Sequence, residues 1–330
     1  MRSYRLGLVL LPLVLAIGAC GGGSAGGGAS GEGGRASIVV TTNVLGDVVS
    51  SIVGDQAEVT TIMPVGANPH DFQASAQQAA AMRAADLLVV NGGGFEEGLE
   101  DVIDSAEDDG VHVFEAISAV EPLELTDGGT KADVHPGEGD AHADEGDAHG
   151  HQGVDPHFFT DPVRMIEAVR ALTDEIVEHV EGVDADEIRR AADAYISKLE
   201  RLDDDIETTI SAIPENDRIL VTNHEVFGYF AQRYGFEIVG TVIPAGSTSE
   251  GASAGALADL ANTLRSRNVR AVFADASASN KLAEALAGEV GGKVEVVELY
   301  SESLGQRGSD GDTYIDMMRT NAERIAAALA

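Results

Sequence analysis

Residues 184–213, enough for about eight helical turns, contain no Gly and no internal Pro. Within them Ile188, Tyr195, Leu199, Leu202, Ile206, Ile210 and Ile213 recur at spacings of three, four and seven. That period places them on one face of an amphipathic helix. About 30 helical residues at about 1.5 Å each reach roughly 45 Å, long enough to act as a stiff connector between two bodies. Two packed helices broken at Asp203-Asp204-Asp205 are the alternative reading.

What lies on either side is the same kind of sequence. Before the connector, β-rich runs at 38–42, 57–63, 87–91 and 111–114 alternate with helical patterns at 44–53, 75–84 and 96–106. After it, runs at 218–222, 236–242, 270–274 and 293–297 alternate with helices at 225–234, 253–267, 279–290 and 313–329. Alternation of this kind predicts α/β architecture with mostly parallel sheets flanked by helices. Two lobes are expected, an N-terminal one over 36–183 and a C-terminal one over 214–330, joined by the single long helix at 184–213.

The chain carries 56 acidic against 21 basic residues, a formal net charge of −35. Such a surface repels nucleic acid, which needs basic groups to displace counterions, so no nucleic-acid partner is expected. Aromatic residues make up 5% and Trp is absent, which disfavours sites built on stacking. An acidic protein attracts cations instead.

The one cysteine, Cys20, excludes an intramolecular disulfide and a thiolate metal cluster. Arg2 and Arg5 precede an apolar run over 6–19, suited to a signal peptide and short for a membrane span. The end Ile17-Gly18-Ala19-Cys20 resembles the lipobox of bacterial lipoproteins, which implies lipidation at Cys20. Residues 21–35 then hold nine Gly, so 20–35 is expected to be a flexible tether after a signal peptide at 1–19.

Residues 121–154 gather His135, His142, His149 and His151 among Asp, Glu, Gly and Pro. With few apolar residues to offset the entropy of ordering, this is expected to be a mobile loop that binds transition metals weakly. Four other residues are expected to make the main site. His70 stands in Asn68-Pro69-His70 after the second strand, and His157 in Asp155-Pro156-His157 with Phe158 and Phe159 beneath it. His224 follows the strand at 218–222, at the expected start of a helix, and Glu302 follows the last strand. Ligands of open α/β sheets bind beyond the carboxyl ends of strands, where these segments meet. Three imidazoles and one carboxylate, two from each lobe, suit zinc (Zn2+). Asp275 is the competing carboxylate, and His112 and His179 are read as structural.

At Asn68-Pro69-His70, Asp155-Pro156-His157, Asn223-His224 and Gly311-Asp312-Thr313-Tyr314 the chain resembles the metal-specific solute-binding proteins of ABC importers for zinc and manganese. The resemblance covers 36–330. It implies two α/β lobes joined by one rigid helix, with the ion held between them by His70, His157, His224 and a fourth ligand at Glu302. Two departures stand out: the family usually has Asp at the fourth position and Trp where Phe159 stands. The fourth ligand is therefore open between Glu302, Asp275 and water. Manganese-preferring relatives usually carry Glu at the third position, so His224 favours zinc over manganese (Mn2+) or iron.

The resemblance implies an extracytoplasmic monomer, lipid-anchored to the cell membrane, that captures zinc and hands it to an ABC importer permease. No enzyme activity is expected. A secreted zinc hydrolase is the distant alternative, and Gly228 stands where the second His of a His-Glu-x-x-His motif would be.

Overall fold

Short β-branched runs build two four-stranded sheets of the same design. The computed structural model describes residues 35–124, 153–243, 253–291 and 294–330. Cys20, the leader, the tether and His135, His142, His149 and His151 lie outside these described residues. Strands β1 (Ala36–Val40), β2 (Ala57–Thr61), β3 (Leu87–Val90) and β4 (Val113–Glu115) pair in parallel in the order β2-β1-β3-β4. Helices α1 (Asn43–Val53), α2 (Ala76–Met82) and α3 (Glu100–Asp108) make the crossovers.

Two-residue strands β5 (Leu123–Glu124) and β6 (Val154–Asp155) pair antiparallel. This ladder takes both ends of the 121–154 segment out of the expected loop. A Tyr229 hydroxyl ties them together: it accepts from the Leu123 N–H and donates to the Asp155 carbonyl, both at 2.9 Å.

Helix α4 (Pro162–His179) begins with Asp161 accepting from the Val163 N–H and with Pro162 at its first position, the preferred residues there. Helix α5 (Ala185–Ile210) is the expected long helix and runs unbroken through Asp203-Asp204-Asp205. Asp184 caps it by accepting from the N–H groups of Asp186 and Glu187. Its 26 residues span roughly 39 Å. Asp203 is buried on the inner face because it is paired: Arg233 donates to both of its oxygens and the Tyr234 hydroxyl donates to Oδ1 at 2.9 Å.

The second sheet holds β7 (Ile219–Thr222), β8 (Glu237–Thr241), β9 (Ala271–Asp275) and β10 (Glu295–Leu299), all parallel, in the order β10-β9-β7-β8. Read from the other edge this is the connectivity of the first sheet. Helices α6 (Gly228–Tyr234), α7 (Ala254–Arg267), α8 (Lys281–Val290) and α9 (Tyr314–Leu329) complete the lobe.

Strand alternation decides which core each residue joins. Ile38, Val40, Leu87 and Val89 of the first sheet, with Leu220, Ala271 and Phe273 of the second, share one central core. Buried faces of α1, α4, α5 and α9 fill it. Val39, Leu88 and Val90 face a separate cluster with Met82 and Leu99, and Val221, Val272 and Ala274 face another with Ala261 and Leu264. Because the central core runs through both lobes and the long helix, residues 35–330 form one compact unit.

Candidate metal centre

Each lobe presents strand ends to the same crevice, and four buried side chains meet there. His70 sits in the loop after β2, where its N–H donates to Asn68 Oδ1 at 3.0 Å. His157 opens a short 3-10 turn after β6. His224 follows β7 and Glu302 follows β10. All four are buried, and one ligand atom from each lies within 4.8 Å of the others.

The atoms that converge are the three imidazole Nε2 nitrogens and Glu302 Oε1. They lie 2.7 Å (His70), 3.4 Å (His157) and 3.0 Å (His224) from that oxygen. The three rings form a near-equilateral tripod, with centroids 6.0, 5.7 and 5.6 Å apart and steep mutual tilts. A tetrahedral zinc site with bonds of about 2.0–2.1 Å has ligand-to-ligand edges of about 3.3 Å, and the three nitrogen-to-oxygen distances bracket that value. Glu302 Oε2 and His224 Nδ1 are buried and have no hydrogen-bond partner, leaving polar capacity in the cleft.

His157 is held from behind. Asp155 Oδ1 accepts from the His157 main-chain N–H at 3.0 Å and lies 2.7 Å from Nδ1. A carboxylate on Nδ1 keeps the proton there, which directs Nε2 toward the cleft and raises its basicity. Burial opposes charging of His157, but Asp155 and Glu302 outweigh it and push its pKa up to about 9. Burial likewise works against ionised Glu302, yet the charge of His224 and hydrogen bonds from the three imidazoles hold its carboxyl well below the usual range. Without an ion, the proton favoured on His157 partly offsets the charge of Glu302, and an incoming cation would replace it.

Several supporting residues escaped the sequence reading. Phe95 packs edge-on against His70 at 5.4 Å and His157 at 5.5 Å, and also against Phe159 at 5.5 Å. It is carried by the turn after β3, where Gly92, Gly93 and Gly94 all have positive φ, a backbone that L side chains rarely adopt. That Gly run after a strand was the available signal. Buried Glu96 closes the turn by accepting from the N–H groups of Asn91 and Gly92 and the Thr41 hydroxyl. Asn91 then donates to the Pro156 carbonyl beside His157 at 2.9 Å.

Asn43, the first residue of α1, reaches across to the Glu302 loop. Its Oδ1 accepts from the Leu304 N–H at 2.7 Å and its Nδ2 donates to Ser303 Oγ at 3.2 Å.

Two sequence expectations change here. Helix α6 starts at Gly228, so His224 stands in the loop ahead of it and not at a helix N-terminus. The segment 224–227 turns on itself, with the Thr222 hydroxyl and the Val226 N–H both bonding to the His224 carbonyl. A Cβ at Gly228 would come 2.5 Å from Asp155 Oδ2, so this close approach needs Gly. Asp275, the competing carboxylate, is buried near Glu302 and His224 but outside the converging group. Its Oδ1 accepts from the N–H and hydroxyl of Ser277, both at 2.7 Å.

Three buried imidazoles and one buried carboxylate, brought together between two parallel-sheet lobes, make this a two-lobed binding protein whose ligand set could hold a metal cation. Sequence comparison agrees. The model of the family described as "Zinc-uptake complex component A periplasmic" matches residues 38–328, and the chain belongs to that family. The manganese-binding lipoprotein MntA of Halalkalibacterium halodurans is 29% identical over 321 residues, covering 96% of each chain. The high-affinity zinc uptake system protein ZnuA of Bacillus subtilis is 30% identical over 324 residues, covering 97% of this chain and 96% of its own. Among solved structures, the periplasmic zinc binding protein TroA from Treponema pallidum aligns with a TM-score of 0.76 at 26% identity, over 90% of this chain and 100% of that one.

Proposed function

We propose that this chain is a zinc receptor that works outside the cytoplasmic membrane and delivers its ion to the permease of an ABC importer. His70, His157, His224 and Glu302 hold the ion as cargo. The observation that carries the reading is the convergence of three Nε2 atoms on one buried carboxylate oxygen. Nitrogen-rich sets suit zinc over the harder manganese. All four positions are filled by protein, so no place is left for a reactive water, and the chain acts as a carrier and not as a hydrolase. Cys20 is the lipid anchor, and the receptor acts as a monomer. No helix among the described residues is long and apolar enough to cross a membrane.

Manganese or iron is the second reading, and one observation favours it. Glu302 Oε2 is unpartnered, so the carboxylate can bind through both oxygens and supply the richer oxygen set those ions prefer. The test is calorimetric titration at neutral pH of the wild type, His70→Ala and His224→Ala. Zinc binding that falls by at least about a hundredfold in each variant is expected, by loss of one of four ligands. Absence of zinc binding in the wild type, or equal binding in the variants, refutes the reading. Incubation with equal zinc and manganese, followed by elemental analysis, decides between the two ions.

A further inference from the structure

His112 and His179, read from sequence as unrelated structural residues, stack face to face on the first lobe. Their ring centroids are 3.6 Å apart with planes tilted by 20°. Both Nε2 atoms lie near one carboxylate oxygen: Glu175 Oε2 is hydrogen-bonded to His112 Nε2 at 2.6 Å and lies 3.5 Å from His179 Nε2. From these contacts we infer that His112, Glu175 and His179 form a second site, open to solvent, for one divalent transition-metal ion of the zinc, copper or nickel type.

The ligand atoms come from two fixed supports. His112 immediately precedes β4, and its carbonyl accepts from the Leu88 N–H of β3 at 2.9 Å. Glu175 and His179 are four residues apart on α4, the spacing that puts two side chains on one helix face. One ligand atom from each of the three lies within 4.8 Å of the others. His179 is the last residue of α4, where the negative end of the helix dipole favours a cation.

The site differs in kind from the cleft. Its side chains are 39% (His112), 32% (Glu175) and 34% (His179) exposed, so water completes the coordination and the ion exchanges freely. Nearly parallel imidazoles do not aim their lone pairs at one point. The exposed His179 ring must tilt to share an ion with His112, and each neutral imidazole must carry its proton on Nδ1. Affinity is therefore lower than in the cleft. Two imidazoles and a carboxylate exclude magnesium and calcium, which seek oxygen ligands. His157 lies near the start of α4 and His179 at its end, roughly 25 Å along the helix, so the two sites fill independently.

The experiment is a zinc titration of the full chain, comparing wild type with His112→Ala/His179→Ala and with Glu175→Gln, each checked for an unchanged melting profile before zinc is added. Residues 125–152 are identical in all three proteins, so ions bound there cancel in the comparison. The double variant should lose one ion per chain from the weaker class, while the tight class keeps its affinity. Glu175→Gln should retain that ion with affinity reduced about tenfold or more, as expected for loss of a charged ligand. An unchanged ion count in the double variant overturns the proposal. Crystals soaked at zinc concentrations that fill the weaker class should show anomalous density between the two Nε2 atoms, and its absence there also overturns it.

Discussion

Replacing Asp155 by Ala tests whether the cleft is tuned from behind. The carboxylate makes two contacts with His157, at 2.7 Å to Nδ1 and 3.0 Å to the main-chain nitrogen, and both are buried. Removing it strands a buried N–H and frees the ring to turn. Loss of such an outer partner weakens metal binding about 10–100-fold, or about 1.4–2.7 kcal/mol. A second effect opposes the first. With the His157 pKa pushed up to about 9, a proton holds the wild-type ring at pH 7. Two pH units below that value, competition weakens zinc binding by about a hundredfold. Asp155 supplies part of that shift, so Asp155→Ala relieves part of the competition. The deficit of the variant should therefore be small near pH 7 and grow toward its full size near pH 9. Chelator-competition titrations at the two pH values measure it, with Asp155→Asn, which keeps an acceptor, showing a smaller deficit. Wild-type affinity in the variant near pH 9, or a deficit that shrinks as pH rises, would refute the reasoning.

Asn43→Ala frees the Glu302 loop from α1, and zinc affinity should drop about tenfold with little change in melting temperature; an unchanged affinity in calorimetry would show that the loop holds itself. The metal-free protein should lose stability in denaturant titrations as pH rises from about 6.5 to 9, because the raised His157 pKa stabilises the fold only while the ring is charged. Toward acid the sign reverses: Glu302, held below its ordinary value, stabilises above about pH 4.5 and loses that contribution as pH falls toward its folded pKa. His157→Gln should flatten the alkaline limb, and an equally steep limb in that variant counts against the assignment. Asp203→Ala strips Arg233 and the Tyr234 hydroxyl of their shared acceptor on α5, and should destabilise the protein by about 2–4 kcal/mol in chemical denaturation; a loss below about 0.5 kcal/mol would mean that solvent replaces the pair.

The alternating lobes and the long helix were legible because each rests on local periodicity. Strands buried on both faces must be apolar throughout, as Leu87–Val90 is, and a helix with one buried face repeats at three and four, as α5 does. His70, His157 and His224 were legible as candidates because each follows a strand or a stiff Asp-Pro or Asn-Pro turn. Helix α6 begins at Gly228, three residues later than the local pattern predicts, because the His224 carbonyl is already taken by the Thr222 hydroxyl and the Val226 N–H. His112 and His179, 67 positions apart, gave no local sign that they stack.

Residue types, element order and the two-lobed α/β plan all follow from neighbours within a few turns or strands. Which atoms meet is set by long-range packing. It places Nε2 of each cleft histidine on Glu302 Oε1, leaves Asp275 bonded to Ser277, sets Phe95 between His70 and His157, and lets Asn43 hold a loop 260 residues away. Those choices depend on side-chain directions across a shared core, which no local pattern encodes.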